Sequence, residues 1–150
     1  LGNNFYKHTA YMQFLDMLDI PYTLLPFFEN KQEYYNWLGS MHVNIQVTLS
    51  EAFNYVCAES LMLGVPCIGS MMTPALISRH QETQLLLNQF LIAQEVDSAM
   101  EIYEKIYALL TMSPDNYQQV CQTGQKHMLD ITQQHNIAIA QFLKELSCMP

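Results

Sequence analysis

Fixed positive charge is scarce in this chain. Six lysine and arginine residues stand against 14 aspartate and glutamate residues, so the 150 residues carry a net charge of −8. A domain that binds a nucleic-acid duplex needs a basic face that neutralises phosphates. We therefore expect no nucleic acid as a partner. A small anionic ligand stays open, because backbone N–H groups at a helix N-terminus bind phosphate without a basic side chain.

Long apolar runs, paired cysteines and glycine-rich phosphate loops are missing too. No apolar run approaches the roughly 20 residues of a membrane-spanning helix, and no G-x-x-x-x-G-K sequence occurs. The four cysteines include no C-x-x-C pair, which favours reduced thiols in a cytoplasmic protein over a disulfide or metal framework. The five histidines show no ligand spacing, so we expect no metal. Half of the residues are hydrophobic, which predicts one globular domain over 1–150.

Alternating strand and helix patterns are what the chain does contain. A strand over 42–49, a helix near 52–63 and a strand over 65–70 follow one another with short connections, which is typical of a parallel sheet. The predicted fold class is therefore α/β, with a Rossmann-like parallel sheet flanked by helices. The other predicted elements are helices over 5–18 and 29–38, a buried strand over 22–28, a strand near 89–93, and helices starting at Ser98 and Ser113-Pro114 and covering 136–146.

Two glutamates, Glu51 and Glu59, bracket the start of the central helix. We expect Ser50 or Glu51 to cap this helix, and Glu59 to lie about two turns into it. A carboxylate at that depth can accept two hydrogen bonds from a vicinal diol such as a ribose. The alternative is structural, since acidic residues in a first helical turn and on exposed helix faces are ordinary.

Two further groups have competing interpretations. The aromatic residues Tyr34, Tyr35 and Trp37 are predicted to form core and one exposed face, with a sugar-stacking platform as the alternative. Arg79 and His80 follow the second strand of the unit. Surface charge is the ordinary interpretation of this pair, and contact with a ligand is the alternative.

The segment 43–70 resembles the donor-binding half of the retaining glycosyltransferases with the GT-B fold. That family has the signature E-x7-E after a strand, followed by Gly-Val-Pro and another strand. Here the sequence reads Ser50-Glu51-Ala52-Phe53-Asn54-Tyr55-Val56-Cys57-Ala58-Glu59 and then Gly64-Val65-Pro66. The resemblance implies a catalytic position at Glu51 against the donor sugar and a ribose contact at Glu59. The remaining donor-binding positions that it implies are Ser50, the backbone at Phe53, Asn54 and Tyr55 for the diphosphate, and Pro26 and Phe27 for the base.

The whole chain would then be the nucleotide-sugar-binding, C-terminal half of a glycosyltransferase. The parent enzyme would transfer a hexose from a nucleoside-diphosphate sugar to an unknown acceptor (a glycan, a lipid or a protein), without a metal or other cofactor. The chain begins at Leu1, and the family's upstream Arg and Lys unit has no counterpart. We therefore expect a fragment without the N-terminal acceptor domain, which does not turn over by itself. A non-catalytic binding or assembly domain and a GT-B sugar epimerase or phosphorylase remain as alternatives, and the oligomeric state is open.

Overall fold

The computed structural model describes residues 12–13, 15–25, 27–49 and 53–147. The chain divides into two compact units, Leu1–Asn30 and Lys31–Pro150. In the first unit, residues 12, 13 and 15–17 are helical and a turn follows at 18–19. The single domain over 1–150 stays a prediction.

The buried strand predicted over 22–28 is wrong. The described residues of this stretch are irregular, and Tyr22, Leu24, Leu25 and Phe27 are exposed. Pro21 precedes the apolar run and Pro26 lies within it. Proline has no N–H group for a strand ladder, and a strand-forming composition needs a neighbouring strand to pair with.

The second unit contains a three-stranded parallel sheet with helices around it. Its elements in chain order are α1 (Lys31–Gly39), β1 (Asn44–Gln46), α2 (Tyr55–Met62), β2 (Cys67–Ser70), a 3₁₀ turn (Pro74–Leu76), α3 (Gln81–Phe90), β3 (Ile92–Ala93), α4 (Ala99–Thr111) and α5 (Pro114–Ser147). The strand order is β1-β2-β3 and both pairs are parallel. The predicted α/β class with a parallel sheet flanked by helices is confirmed, and the three-stranded sheet is compatible with a Rossmann-like fold.

The core lies on both faces of the middle strand. All four residues of β2 are buried, as expected for a parallel sheet covered by helices. Helix α2 contributes Cys57, Ala58 and Leu61 to the same apolar cluster, which also contains Leu109 of α4. A short central strand with no exposed face therefore fixes where the helices must pack.

A buried serine connects the parts of the β1-α2-β2 unit. The Ser60 hydroxyl donates to the Val65 carbonyl (2.9 Å) and accepts from Asn44 Nδ2 (2.7 Å), and Ser60 is fully buried. Gly64 has a φ of 76°, a left-handed conformation that glycine adopts without strain. These contacts turn the chain from the end of α2 into β2.

Several of the predicted elements are longer or shorter in the structure. The strand predicted over 42–49 is reduced to Asn44–Gln46. The helices predicted from Ser113-Pro114 and over 136–146 are one continuous helix of 34 residues, α5, with Pro114 as its first residue. Ser98 is confirmed as the N-cap of α4, because its hydroxyl accepts from the Glu101 N–H at 3.2 Å. None of the helices in the described part of the chain combines the length and apolar character of a membrane-crossing segment.

Candidate functional site

Asn54 determines where the central helix begins. Its side-chain Oδ1 accepts from the Cys57 N–H (3.0 Å), and its carbonyl accepts from the Ala58 N–H (3.0 Å). Helix α2 therefore starts at Tyr55, and the prediction that Ser50 or Glu51 caps a helix from 52 is wrong. Asparagine is as good an N-cap as serine, and Asn54 is the residue that caps α2.

The shorter helix changes the position of the predicted phosphate contacts. Phe53 and Asn54 precede α2, and Tyr55 is its first residue. The rings of Phe53 and Tyr55 meet edge to face with centroids 5.2 Å apart. Asn54 is 4% exposed, so its backbone is covered and its side chain is committed to the cap.

Three predicted site residues, Ser50, Glu51 and Pro26, lie outside the described residues. Phe27 belongs to the first unit, and its side chain is 93% exposed. The roles assigned to these four residues stay predictions.

Glu59 is held between two tyrosines of α1. It is the fifth residue of α2, so it lies just over one turn into the helix rather than the predicted two. The Tyr34 hydroxyl donates to Glu59 Oε2 (3.1 Å) and the Tyr35 hydroxyl donates to Glu59 Oε1 (3.2 Å). Each carboxylate oxygen is therefore oriented by its own phenol.

The same contacts shift the titration of both phenols. Burial, together with the hydrogen bond to Glu59 and its negative charge, raises the pKa of Tyr34 to about 12. The charge of Glu59, its hydrogen bond and burial raise the pKa of Tyr35 as well. Both tyrosines therefore remain hydrogen-bond donors to the carboxylate at neutral pH.

A second group of polar atoms lies at the carboxyl ends of β1 and β2. The Ser70 hydroxyl donates to the Thr48 carbonyl (2.6 Å) and accepts from the Met72 N–H (3.2 Å). The hydroxyl oxygen of Thr48 is buried and has no hydrogen-bond partner among the described residues. In open α/β sheets, ligands bind at this edge, where an unpaired buried hydroxyl can meet a polar ligand atom.

The functional role of Glu59 stays a prediction, and its hydrogen-bond partners were not predicted. Tyr34 and Tyr35 lie 25 and 24 residues before it, and the sequence indicated core and surface packing for them, with a sugar-stacking platform as the alternative. The available signal was two adjacent phenols on the helix that precedes the motif strand. Within the described ranges, no group of three or more His, Cys, Asp or Glu side chains is arranged to hold a metal ion.

Three comparisons with known proteins found no match. They were a scan against protein-family models, a search of curated proteins and a search of solved structures.

Proposed function

We propose that this chain is the donor-binding half of a retaining GT-B glycosyltransferase and that it binds a nucleoside-diphosphate sugar. The observation that carries the proposal is the Glu59 carboxylate, which two tyrosine hydroxyls orient on the helix that follows β1 of a parallel β-α-β unit. This arrangement supports the interpretation of the E-x7-E pattern as a ligand site.

The carboxylate retains capacity for a diol. An ionised carboxylate has about four lone-pair positions, and the two phenols occupy one on each oxygen. A vicinal diol could take the remaining position on each oxygen. Because the phenols already fix the side chain, less side-chain entropy is lost when a ribose binds.

The start of α2 supplies the complementary element for the diphosphate. The helix dipole and the N–H groups of the first turn favour a negative group by about 0.5–2 kcal/mol in a partly buried site. With the helix starting at Tyr55, that turn comprises Tyr55, Val56 and Cys57, and the N–H of Cys57 is already taken by Asn54. The proposed phosphate contacts therefore move to Tyr55 and Val56.

In the proposed mechanism Glu51 contacts the sugar hydroxyls and Glu59 fixes the ribose. The departing diphosphate is stabilised by the helix dipole together with cations outside this chain, a form of electrostatic preorganisation. The chain alone is expected to bind donors weakly and not to turn over.

The test is calorimetric titration of UDP, GDP and their sugar conjugates into the chain and into Glu59→Gln. We expect the variant to bind at least about tenfold more weakly, a loss of about 1.4 kcal/mol. Glu104→Gln is the matched control, because Glu104 is an exposed glutamate on α4. Equal binding by Glu59→Gln and the unaltered chain would remove Glu59 from the site, and absence of nucleotide binding by the unaltered chain would contradict the proposal.

The same contacts favour one second candidate, a non-catalytic binding domain. Glu59 joins α1 to α2 through Tyr34 and Tyr35, which is a sufficient structural role for the carboxylate. In that case Glu59→Gln lowers the free energy of unfolding, and no nucleotide binds to either chain.

A further inference from the structure

A second candidate binding site lies between the loop after the 3₁₀ turn and the middle of α5. It is a cleft of about 520 Å³, within the range of roughly 300–1,000 Å³ that is usual for small-molecule sites. Its polar lining comprises Ser78, Arg79, His80, His127, Asp130, Gln134 and His135. Phe53, Ile77 and Ile131 provide apolar walls.

Basic side chains line this cleft of an acidic chain. Arg79 is the chain's single arginine, and three of its five histidines line the same cleft. Arg79 is exposed and makes no ion pair with any other residue that the structure describes. A guanidinium offers a planar set of donors that matches a phosphate, so its charge is available to an anion.

Asp130 is the acidic side chain among the lining residues, and it is directed at a histidine. Its Oδ2 lies 4.0 Å from His80 Nε2, and the Asp130 side chain is 35% exposed. This carboxylate oxygen is therefore close to the imidazole of His80. The other oxygen of Asp130 can accept a hydrogen bond from a ligand hydroxyl.

His127 contributes a buried polar atom to the cleft. The residue is 3% exposed, and its Nε2 lies 3.1 Å from the Ala75 carbonyl oxygen. A carbonyl can only accept, so this geometry assigns the proton to Nε2. Burial lowers the pKa of His127, which leaves Nδ1 of the neutral ring as a hydrogen-bond acceptor.

We propose that this cleft binds a phosphorylated sugar. Arg79, with His80 and His135, holds the phosphate. Asp130, Gln134 and Nδ1 of His127 accept hydrogen bonds from ring hydroxyls. The apolar walls pack against the non-polar face of the ring. Phe53 borders this cleft and also precedes the proposed donor-binding turn, but none of the polar contacts to the phosphorylated sugar involves Glu59.

Calorimetric titration of glucose 6-phosphate into the 150-residue chain tests this inference, with glucose and inorganic phosphate as the two partial probes. We expect glucose 6-phosphate to bind more tightly than either part, because the cleft has both a cationic and a hydroxyl-accepting side. Arg79→Gln should weaken its binding by about tenfold or more, since a charge-assisted contact to phosphate is lost. Arg79 is exposed, so this variant should fold normally.

Lys126→Gln is the matched control, since it removes the same charge from an exposed position of α5 outside this cleft. It should leave glucose 6-phosphate binding unchanged. Equal losses in the two variants would indicate non-specific attraction and overturn the proposal, as would the absence of saturable binding by the unaltered chain. Glu59→Gln should bind glucose 6-phosphate normally, which separates failure of this site from failure of the donor site.

Discussion

The Glu59 side chain is held in one orientation by Tyr34 and Tyr35, without a cationic partner among the described residues. Its two partners are neutral phenols, and no lysine or arginine among the described residues forms an ion pair with it. Hydrogen bonds to a charged acceptor are stronger than those between neutral groups. The carboxylate therefore keeps its negative charge available while its orientation is fixed.

This arrangement predicts unequal effects when the two phenols are removed. Tyr34→Phe should lower the free energy of unfolding by about 1 kcal/mol, because it removes a partly buried hydrogen bond to a charged group. Tyr35→Phe should cost less, because the Tyr35 hydroxyl is better solvated. Urea unfolding of the two variants and the unaltered chain measures the difference, and a larger loss in Tyr35→Phe would contradict it.

His127 predicts a dependence of stability on pH. Burial lowers its folded-state pKa below the ordinary value of 6.5. As the pH falls below about 6.5, the unfolded chain takes up a proton that the folded ring resists, so the folded state loses stability down to the lowered pKa. Asp130 and the Ala75 carbonyl oppose the shift in part, and His80 adds to it.

The variant His127→Gln isolates this contribution. Glutamine keeps an N–H donor for the Ala75 carbonyl and does not titrate. Between about pH 7.5 and about pH 5.5, the unaltered chain should lose more free energy of unfolding than His127→Gln. Equal losses in urea unfolding at the two pH values would show that His127 does not carry the effect.

Helix α4 begins with a cap in which Glu101 holds the preceding loop. Ser98 accepts from the Glu101 N–H as expected, but both Glu101 carboxylate oxygens accept from the preceding loop, from the N–H groups of Gln94 and Glu95 at 2.8 Å each. Burial alone would raise the pKa of Glu101, but these two hydrogen bonds and the charge of Lys105 lower it. The cap therefore fixes the loop between β3 and α4 as well as the helix.

Two substitutions at Ser98 separate the cap from general packing. Ser98→Ala should lower the free energy of unfolding by about 1 kcal/mol, whereas Ser98→Gly should cost only a few tenths of a kcal/mol, since glycine is a tolerated N-cap. Thermal or urea unfolding of both variants checks the order. If alanine and glycine cost the same, the Ser98 hydroxyl does not act as the cap.

Across the 150 residues, the features that could be predicted from sequence are those decided by neighbouring residues. The parallel β-α-β order follows from the two apolar runs and the helix between them, and Pro114 and Ser98 start helices by their own chemistry. The start of α2 was predicted wrongly because Ser50 and Asn54 are both good caps.

The contacts that could not be predicted join residues far apart in the chain. Tyr34 and Tyr35 reach Glu59 only because α1 packs near α2, and the cleft brings Arg79 to His127 and His135 across the loop and α5. No local sequence pattern encodes contacts between residues so far apart in the chain. The E-x7-E pattern could therefore indicate Glu59 but not the side chains that orient it.

Helix α5 illustrates how tertiary contacts set the extent of an element. It contains 34 residues, about 50 Å at 1.5 Å per residue. Gly124 lies where it passes α2, and a Cβ there would approach the Leu61 Cδ2 atom to 2.9 Å. Residues 132–142 of the same helix are all exposed. The part of α5 around Gly124 is thus positioned by the core, whereas residues 132–142 are not packed into it.

Two buried cysteines of the β1-α2-β2 unit can report the opening of the core. Cys57 of α2 and Cys67 of β2 are both fully buried. The hydrogen bond between the two thiols, together with burial, raises the pKa of Cys67. Because both side chains are fully buried, an alkylating reagent can reach neither sulfur until helix and strand separate. The rates at which an alkylating reagent labels Cys57 and Cys67 therefore measure how fast the core opens. Matching rates would mean that helix and central strand come apart in one event, and unequal rates would reveal which of them yields first.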